Sequence, residues 1–382
     1  MDKQIRVAIV CTSLNQIGGK NVHFKNMYKN LNNEKIAITI ILSSSMENEH
    51  KAYLLQEGVD EEDIIFIPRL KKWVVIPFIM DLVMIFKSRK INIAHTFQIQ
   101  SDILGSIAAG IAGVDCVISQ QDSKAIEETL HPLKKIFYRL FNSCMMNSFK
   151  KTVAVSQGLK KELIADKFRP KEKIETIPLG ITIPEEYRNR EFSFEGLIKN
   201  SPLIGTIARL NKEKGIDRFI NAVPFVLKKI PRARFIIIGK GDEKGNLQEQ
   251  VKKLKLDSKV EFREIPWTDS IYKVLTTIDI FVMPSLREGC PTGLLEALAS
   301  SRPVVASQIE GVNDLIDDGE NGLMVDTKDP RLFAEKIIFL CEHPDTAIAM
   351  GKEGRKKILK DFTLEREMER FRELYQDALV NN

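Results

Sequence analysis

The sequence predicts an α/β protein made of two doubly wound, parallel-sheet domains. Three observations carry this. Short, fully apolar runs of the kind that fill buried parallel strands alternate with longer amphipathic stretches of helical period. The alternation lapses over residues 184–201, a charged stretch that begins with Pro184 and shows no clear period, and it resumes at Pro202. At 382 residues the chain is long enough for two cores of ordinary size. The expected division is an N-terminal domain over residues 1–183, a linker over 184–201 and a C-terminal domain over 202–362.

Composition narrows the class. Hydrophobic content of 43% and charged content of 29% are those of a globular protein in water. The five cysteines, Cys11, Cys116, Cys144, Cys290 and Cys341, form no C-x-x-C, and no histidine stands at metal-ligand spacing. They read as reduced thiols of a cytoplasmic protein, with no zinc site. The N-terminus enters a strand at once and does not resemble a signal peptide. No apolar run approaches the roughly 20 residues of a membrane span. The net charge of +5 suits phosphate ligands or an anionic lipid surface. No zinc-finger, RNA-recognition or basic-zipper pattern argues for nucleic acid as a partner.

In the N-terminal half, residues 4–11 (Q-I-R-V-A-I-V-C) form the first strand, and Phe24, Met27, Tyr28 and Leu31 mark the helix after it. Gly18 and Gly19 lie between the two. They do not complete G-x-G-x-x-G, so a dinucleotide fingerprint is unsupported and a flexible turn is an equal reading. Strands follow at 36–42 and 64–67. Residues 71–90 are apolar between basic ends and carry Trp73; residues 131–151 are basic and amphipathic. Either stretch reads as a helix lying on anionic lipid or as a helix packed on the sheet with solvated basic ends. A strand ends at His95; a lone histidine is more often structural than catalytic, but this one stands where α/β sheets place ligands. A further strand ends in Gln120, Gln121 and Asp122. The next spans 152–156, with Ser156 as the cap of a helix over 160–165.

In the C-terminal half, the strand P-L-I-G-T-I-A-R-L runs into N-K-E-K-G and a helix from Ile216 or Asp217. Arg209 and Lys214 flank this loop, with Gly205 behind them in the strand. Their cations could converge on one diphosphate, Arg as a fork and Lys as a point charge; two surface cations is the plainer reading. Another strand ends in Met283 and is followed by P-S-L-R-E-G-C-P-T-G-L-L-E-A-L. Pro291 is expected as the first helical residue. The free N–H groups of Thr292, Gly293 and Leu294 would then face the loop mouth and favour an anion. Gly289 and Gly293 allow close approach to backbone, with Cys290 between them. Glu288 and Glu296 frame this mouth. Carboxylates only accept hydrogen bonds, so they suit hydroxyls rather than phosphate. A phosphorylated or nucleotide sugar fits that set; a capped helix with two solvated glutamates fits the loop alone.

The run E-G-C-P-T-G-L-L-E-A-L-A, an E-x7-E followed by R-P-V-V-A, resembles the donor-site signature of retaining glycosyltransferases of the GT-B fold, glycosyltransferase family 4. Ser301 departs from the glycine more usual before Arg302-Pro303. The resemblance covers nearly the whole chain and is strongest over residues 203–325. It implies two Rossmann-like domains facing a cleft, with a last helix over 362–380 that crosses back, so that residues 363–382 join the first domain. It implies a hexosyltransferase that moves a sugar from a nucleotide diphospho-sugar, with UDP the expected nucleotide, to an acceptor hydroxyl with retention.

Residue by residue, the resemblance makes Arg209, Lys214, Glu288 and His95 the catalytic set. Glu296 would hold the ribose and Glu288 the donor sugar. Gly18 and Gly19 would face the donor phosphates or the acceptor. Gly239 and Gly241 of the G-K-G loop, with the stretch Arg263 to Pro266 (Arg263, Glu264, Ile265 and Pro266) acting mainly through backbone, would wall the nucleobase. The stretch A-H-T-F makes His95 and Thr96 acceptor-side candidates, together with Gln121; relatives often carry His or Arg near Gln120 and Gln121. No metal or other cofactor is required, since cations and amides supply the positive charge and no D-x-D stands beside a strand end. The basic N-terminal half points to a surface glycan or lipid-linked sugar as acceptor, and to a cytoplasmic protein peripheral at the inner face of the cell membrane. Rival readings are a GT-B epimerase or phosphorylase, and a non-catalytic binder of nucleotide sugar or anionic lipid.

Overall fold

The computed structural model describes residues 4–14, 18–68, 75–122, 149–165, 170–190, 192–265, 270–326 and 329–380. Contacts divide the chain into two units, one of Met1–Pro178 with Leu364–Asn382 and one of Leu179–Thr363.

The first unit is a seven-stranded, all-parallel sheet in the order β3-β2-β1-β4-β5-β6-β7. Its strands are β1 (Ile5–Leu14), β2 (Ile36–Ser44), β3 (Ile64–Phe66), β4 (Ile93–Phe97), β5 (Cys116–Gln121), β6 (Lys151–Ala154) and β7 (Ile174–Thr176). Strand order reverses at β1, which pairs with β2 on one side and β4 on the other. The alternation along β1 sends Val7, Ile9 and Cys11 to one face and Ala8 and Val10 to the other. The first face packs against helix α1 (Gly19–Leu31) through Phe24, Met27 and Leu31. It also packs against the terminal helix Leu364–Val380 through Met368, Phe371, Leu374, Tyr375 and Ala378. The last helix thus belongs to the first unit, as expected. After α2 (Glu47–Gln56) on the way to β3, the second face of the sheet carries α3 (Val75–Ser88) and α4 (Ile99–Ala112). Phe78, Leu82, Val83 and Phe86 of α3 are buried there. Residues 71–74, with Trp73, and 131–148 lie outside the described residues, so the amphipathic reading of those stretches is followed here only over α3.

The second unit is a six-stranded, all-parallel sheet in the order β10-β9-β8-β11-β12-β13. The strands are β8 (Leu203–Ile207), β9 (Arg234–Ile238), β10 (Val260–Arg263), β11 (Ile280–Met283), β12 (Val304–Ser307) and β13 (Leu323–Val325). Here the order reverses at β8, between β9 and β11. Phe235 and Ile237 face one core, Ile236 and Ile238 the other.

The expected linker is corrected. Residues 184–201 form the short helices Glu185–Arg188 and Glu195–Ile198 and belong to the second unit. Phe194 and Leu197 enter its core. The cause is a buried arginine. Arg302 is fully buried, donates to the carbonyls of Ser300, Ile278 and Ser193, and lies 4.4 Å from the Phe194 ring centroid and 5.1 Å from that of Phe192. A desolvated guanidinium needs acceptors and aromatic faces, and this segment provides both. Burial pulls the Arg302 pKa down to about 10, with Asp279 opposing the shift. Beside it, Ser301 has φ +54°, a left-handed conformation in which glycine would be unstrained.

Candidate functional site

Ligands of doubly wound sheets sit at the carboxyl ends of strands where strand order reverses. In the second unit that place is the pair β8 and β11, and the loops after these strands carry the residues singled out by sequence. The two loops are fastened to each other. The Leu286 N–H donates to the Glu213 carbonyl at 2.8 Å. Gly215 sits at φ +59° so close to the other loop that a Cβ would lie 2.2 Å from the Pro284 oxygen, so only glycine fits. Asn211 accepts the Lys214 N–H at 3.2 Å and so turns the lysine toward β11. Lys214 Nζ then donates to Glu288 Oε1 at 2.6 Å, and Ser285 Oγ donates to the same oxygen at 2.7 Å. Both partners of this ion pair are mostly shielded from water. Sequence reading placed Lys214 on phosphate and Glu288 on sugar and did not foresee that they touch. It also missed Ser285, which lies three residues ahead of Glu288 in a run with no feature of its own.

The helix after β11 runs over Thr292–Ala299. Pro291 is its cap with ψ 103°, one place ahead of the position expected for it. The offset changes the amide count. Leu294 N–H donates to the Pro291 carbonyl at 3.0 Å, so the expected trio is corrected to two, Thr292 and Gly293. A Cβ on Gly293 would stand 3.4 Å from the Ile207 oxygen. The helix start therefore lies against the end of β8, two residues before Arg209. Gly311 presses on the same loop from the other side: a Cβ there would meet the Glu288 oxygen at 2.3 Å and the Gly289 oxygen at 2.8 Å.

Glu296 lies one turn inside this helix and keeps partial exposure. Desolvation holds its pKa up at about 8. No cation lies within ion-pairing distance of it among the described residues. Burial raises the phenol pKa of nearby Tyr272 and the charge of Glu296 adds to the shift; the Tyr272 hydroxyl donates to the Thr182 carbonyl at 3.1 Å and its ring stacks on Tyr187. Tyr272 and Tyr187 were not foreseen as neighbours of the site. Cys290 is partly exposed in the loop.

Several expected donor contacts are corrected. Gly205 is buried mid-strand, where a Cβ would lie 2.7 Å from Ile278 Cδ1 and 2.8 Å from Ile236 Cγ2; its smallness serves side-chain packing. Arg263 has its carbonyl on the Gly239 N–H at 3.0 Å and its guanidinium on Glu261, so it is spent within the sheet edge. Ile265 packs against the core, and Pro266 lies outside the described residues. Gly239 and Gly241 press the G-K-G loop onto the backbone at Ala208 and Leu210, on either side of Arg209, and the Leu210 N–H donates to the Lys240 carbonyl at 2.8 Å. They fix the path of the arginine loop.

In the first unit the acceptor-side candidates are turned inward. His95 is fully buried on β4, with Nδ1 2.7 Å from the Tyr375 hydroxyl and its ring against Phe97 and Phe371. Burial pulls its pKa down to about 3, and the nearby His23 adds to the shift. The expectation that His95 is catalytic is corrected to a neutral core residue under the terminal helix. Thr96 donates to Asp102 at 2.6 Å, and Gln121 donates to Asp102 at 2.7 Å and to Ser119 at 2.8 Å. Both belong to a buried network that supplies hydrogen bonds to the Asp102 carboxyl oxygens, not to an exposed face. Gly18 opens α1, with its N–H on Asn21 Oδ1 at 3.3 Å, and a Cβ on Gly19 would meet nothing within 4 Å. Lys20, partly exposed along its stem but with a buried Nζ, lies 3.5 Å from Asp122. His23 lies between Gln120, at 3.4 Å, and Glu367, at 3.4 Å, with burial lowering its pKa to about 4. Among the described residues no cluster of three His, Cys, Asp or Glu side chains could hold a metal ion.

The family model for glycosyl transferases group 1 matches residues 188–357, and that for glycosyltransferase family 4 matches residues 17–183. The UDP-Gal:alpha-D-GlcNAc-diphosphoundecaprenol alpha-1,3-galactosyltransferase of Escherichia coli is 26% identical over 310 residues, 79% of this chain and 80% of that protein. The capsular polysaccharide biosynthesis glycosyltransferase CapM of Staphylococcus aureus is 23% identical, again over 79% of this chain and 80% of the relative. Among solved structures, Anabaena HepE in complex with UDP superposes with a TM-score of 0.82 at 16% identity, covering 98% of this chain and all of that one. The two models together take in nearly the whole chain, and with its paired parallel sheets the chain belongs to the family 4 type of GT-B glycosyltransferases.

Proposed function

We propose that the chain transfers a sugar from a nucleotide diphospho-sugar to an acceptor hydroxyl, with retention at the anomeric carbon. One observation carries the reading: the Lys214–Glu288 pair stands in the same loop assembly as the Thr292 and Gly293 amides, at the switch point between β8 and β11. Cation and acceptor are thus adjacent, as a sugar diphosphate requires. Breaking the glycosidic bond builds negative charge on the leaving diphosphate. Lys214, Arg209 and the two amides would stabilise it without rearrangement, and this charge supply makes a metal unnecessary. Glu288 Oε1 is occupied by Lys214 and Ser285, which leaves Oε2 for a hydroxyl of the donor sugar. Glu296 would accept the ribose hydroxyls. With His95 withdrawn into the core, no histidine of that strand acts as base. The departing phosphate oxygen would take the acceptor proton on the same face, which is the route to retention.

UDP is the favoured nucleotide: the E. coli relative carries UDP-Gal in its name and the Anabaena structure holds UDP. Those relatives also favour surface-glycan synthesis, with a glycan or a lipid-linked sugar as acceptor. A lipid-linked acceptor would draw the protein to the inner face of the cell membrane as a peripheral protein. No helix among the described residues is long and apolar enough to cross a membrane. The test is release of UDP from UDP-galactose, UDP-glucose and UDP-N-acetylglucosamine with lipid-diphosphate sugars as acceptors. The anomeric coupling of the product is then read by NMR. An inverted product would refute retention. Tight donor binding with no release on any acceptor would favour a non-catalytic binder.

A further inference from the structure

We infer, on the reading of Glu288 as the carboxylate that meets the donor sugar, that Ser285 is a positioning residue: it keeps Glu288 in place while the charge of Lys214 is given to the leaving diphosphate. The backbone of Ser285 is pinned on both sides. The Pro284 carbonyl before it lies against Gly215, and the Leu286 N–H after it donates to the Glu213 carbonyl at 2.8 Å. Both contacts tie it to the loop that carries Lys214. The residue is 1% exposed, so its hydroxyl must find an acceptor inside the protein. A backbone carbonyl would serve. At the end of the neighbouring strand β12, buried Ser307 donates to the Met283 carbonyl at 3.3 Å. Ser285 donates instead to Glu288 Oε1 at 2.7 Å, beside the Lys214 ammonium on the same oxygen at 2.6 Å.

Two donors of different kind on one oxygen divide the work. The hold of Lys214 on Glu288 is electrostatic, and any other anion within reach competes for it. As the glycosidic bond breaks, negative charge builds on the diphosphate and draws the ammonium from the carboxylate. The serine hydroxyl is neutral and has a single proton, already given to Glu288. It keeps Oε1 fixed when the lysine's hold slackens, so Oε2 keeps its aim at a donor hydroxyl. Without Ser285, one ammonium would have to hold Glu288 and neutralise the leaving group at once. At 11% side-chain exposure, Glu288 is poorly supplied with water to replace the lost donor.

The experiment is a double-mutant cycle, read by titration calorimetry and by UDP release. Its ligands are UDP and whichever of UDP-galactose, UDP-glucose and UDP-N-acetylglucosamine the wild type binds best. Ser285→Ala should leave UDP affinity within about twofold, since UDP has no sugar for Glu288 to meet. UDP-sugar affinity should fall about fivefold and kcat roughly tenfold or more, because a hydrogen bond to a charged group is lost. In a Glu288→Ala background the same serine change should alter UDP-sugar affinity by less than about twofold, because the residue it acts through is gone. Ser285→Cys fills the same space with a weaker donor and should fall between wild type and Ser285→Ala; it takes the place of the alanine variant if that one melts too low to assay. UDP affinity falling in step with UDP-sugar affinity, or equal losses in the two backgrounds, would overturn the proposal and leave the hydroxyl a part of the loop's fold. So would an unchanged kcat in Ser285→Ala. UDP-sugar binding without release by the wild type would sink the transfer reading instead, and the affinity cycle would still decide the role of Ser285.

Discussion

The raised pKa of Glu296 makes donor binding a function of pH. A carboxyl that titrates at about 8 is roughly nine-tenths protonated at pH 7. If the ribose hydroxyls donate to its ionised form, binding must first remove that proton. The factor at pH 7 is about 11, or ~1.4 kcal/mol. Affinity for a UDP-sugar should therefore rise about tenfold between pH 7 and pH 9 and level off above. The sugar nucleotide is the right probe because its diphosphate carries no proton that titrates in this range, unlike UDP. Titration calorimetry in buffers of different ionisation enthalpy gives both the affinity and the proton released on binding. The Glu296→Gln variant should bind with a flat pH profile and release no proton. The sign for folding is the opposite one. An acid with a raised folded pKa contributes stability that is present in full below its unfolded value near 4.5 and is lost as pH rises through about 8. Because the side chain is partly exposed, the loss is discounted to about 1–2 kcal/mol. A wild-type affinity that does not change from pH 7 to pH 9, or a slope that survives in Glu296→Gln, would refute the ribose assignment.

Three further outcomes are expected. Lys214→Ala should lower kcat by roughly 100-fold, with a smaller change in KM, because its charge is needed most as the diphosphate leaves; a loss confined to KM would mean ground-state binding only. Ser301→Gly should raise stability by about 0.5–1 kcal/mol in urea denaturation, since it relieves a left-handed φ of +54° at some cost in unfolded-chain entropy; no gain, or a loss, would mean the serine side chain contributes more than the strain it bears. Arg302→Ala should cost about 3 kcal/mol or more, leaving Asp279 uncompensated and three carbonyls without their donor; a melt within a degree of wild type would remove the argument that Arg302 organises residues 184–201.

The repeating strands and the loop from Met283 to Leu298 were legible because their cues are local. A strand buried on both faces is uniformly apolar, and two glutamates eight positions apart around a Pro-Thr-Gly turn declare a helix start. The misreadings came from partners distant in sequence. His95 is a core residue because Tyr375 and Phe371 arrive from 280 and 276 positions away, and nothing in A-H-T-F signals that. Residues 184–201 looked like a tether because charges dominate them. Phe192 and Phe194 gain meaning only beside Arg302, itself hidden in a run that reads as polar. The contact between Lys214 and Glu288 joins two loops 74 residues apart, and only the pairing of β8 with β11 brings them together. One misreading was local: a helix that starts one residue later than its proline suggests has one amide fewer to offer.

The position of the terminal helix has a consequence for how the chain is made. Phe371 and Tyr375 fill the interior of the first unit, yet they are translated only after the whole of the second unit. The second unit is complete in the nascent chain while the first still lacks one wall. The first unit must wait, with Ile9, Phe97 and His95 uncovered, until the helix Leu364–Val380 has been made. A stop codon anywhere before Leu364 would leave that wait without an end.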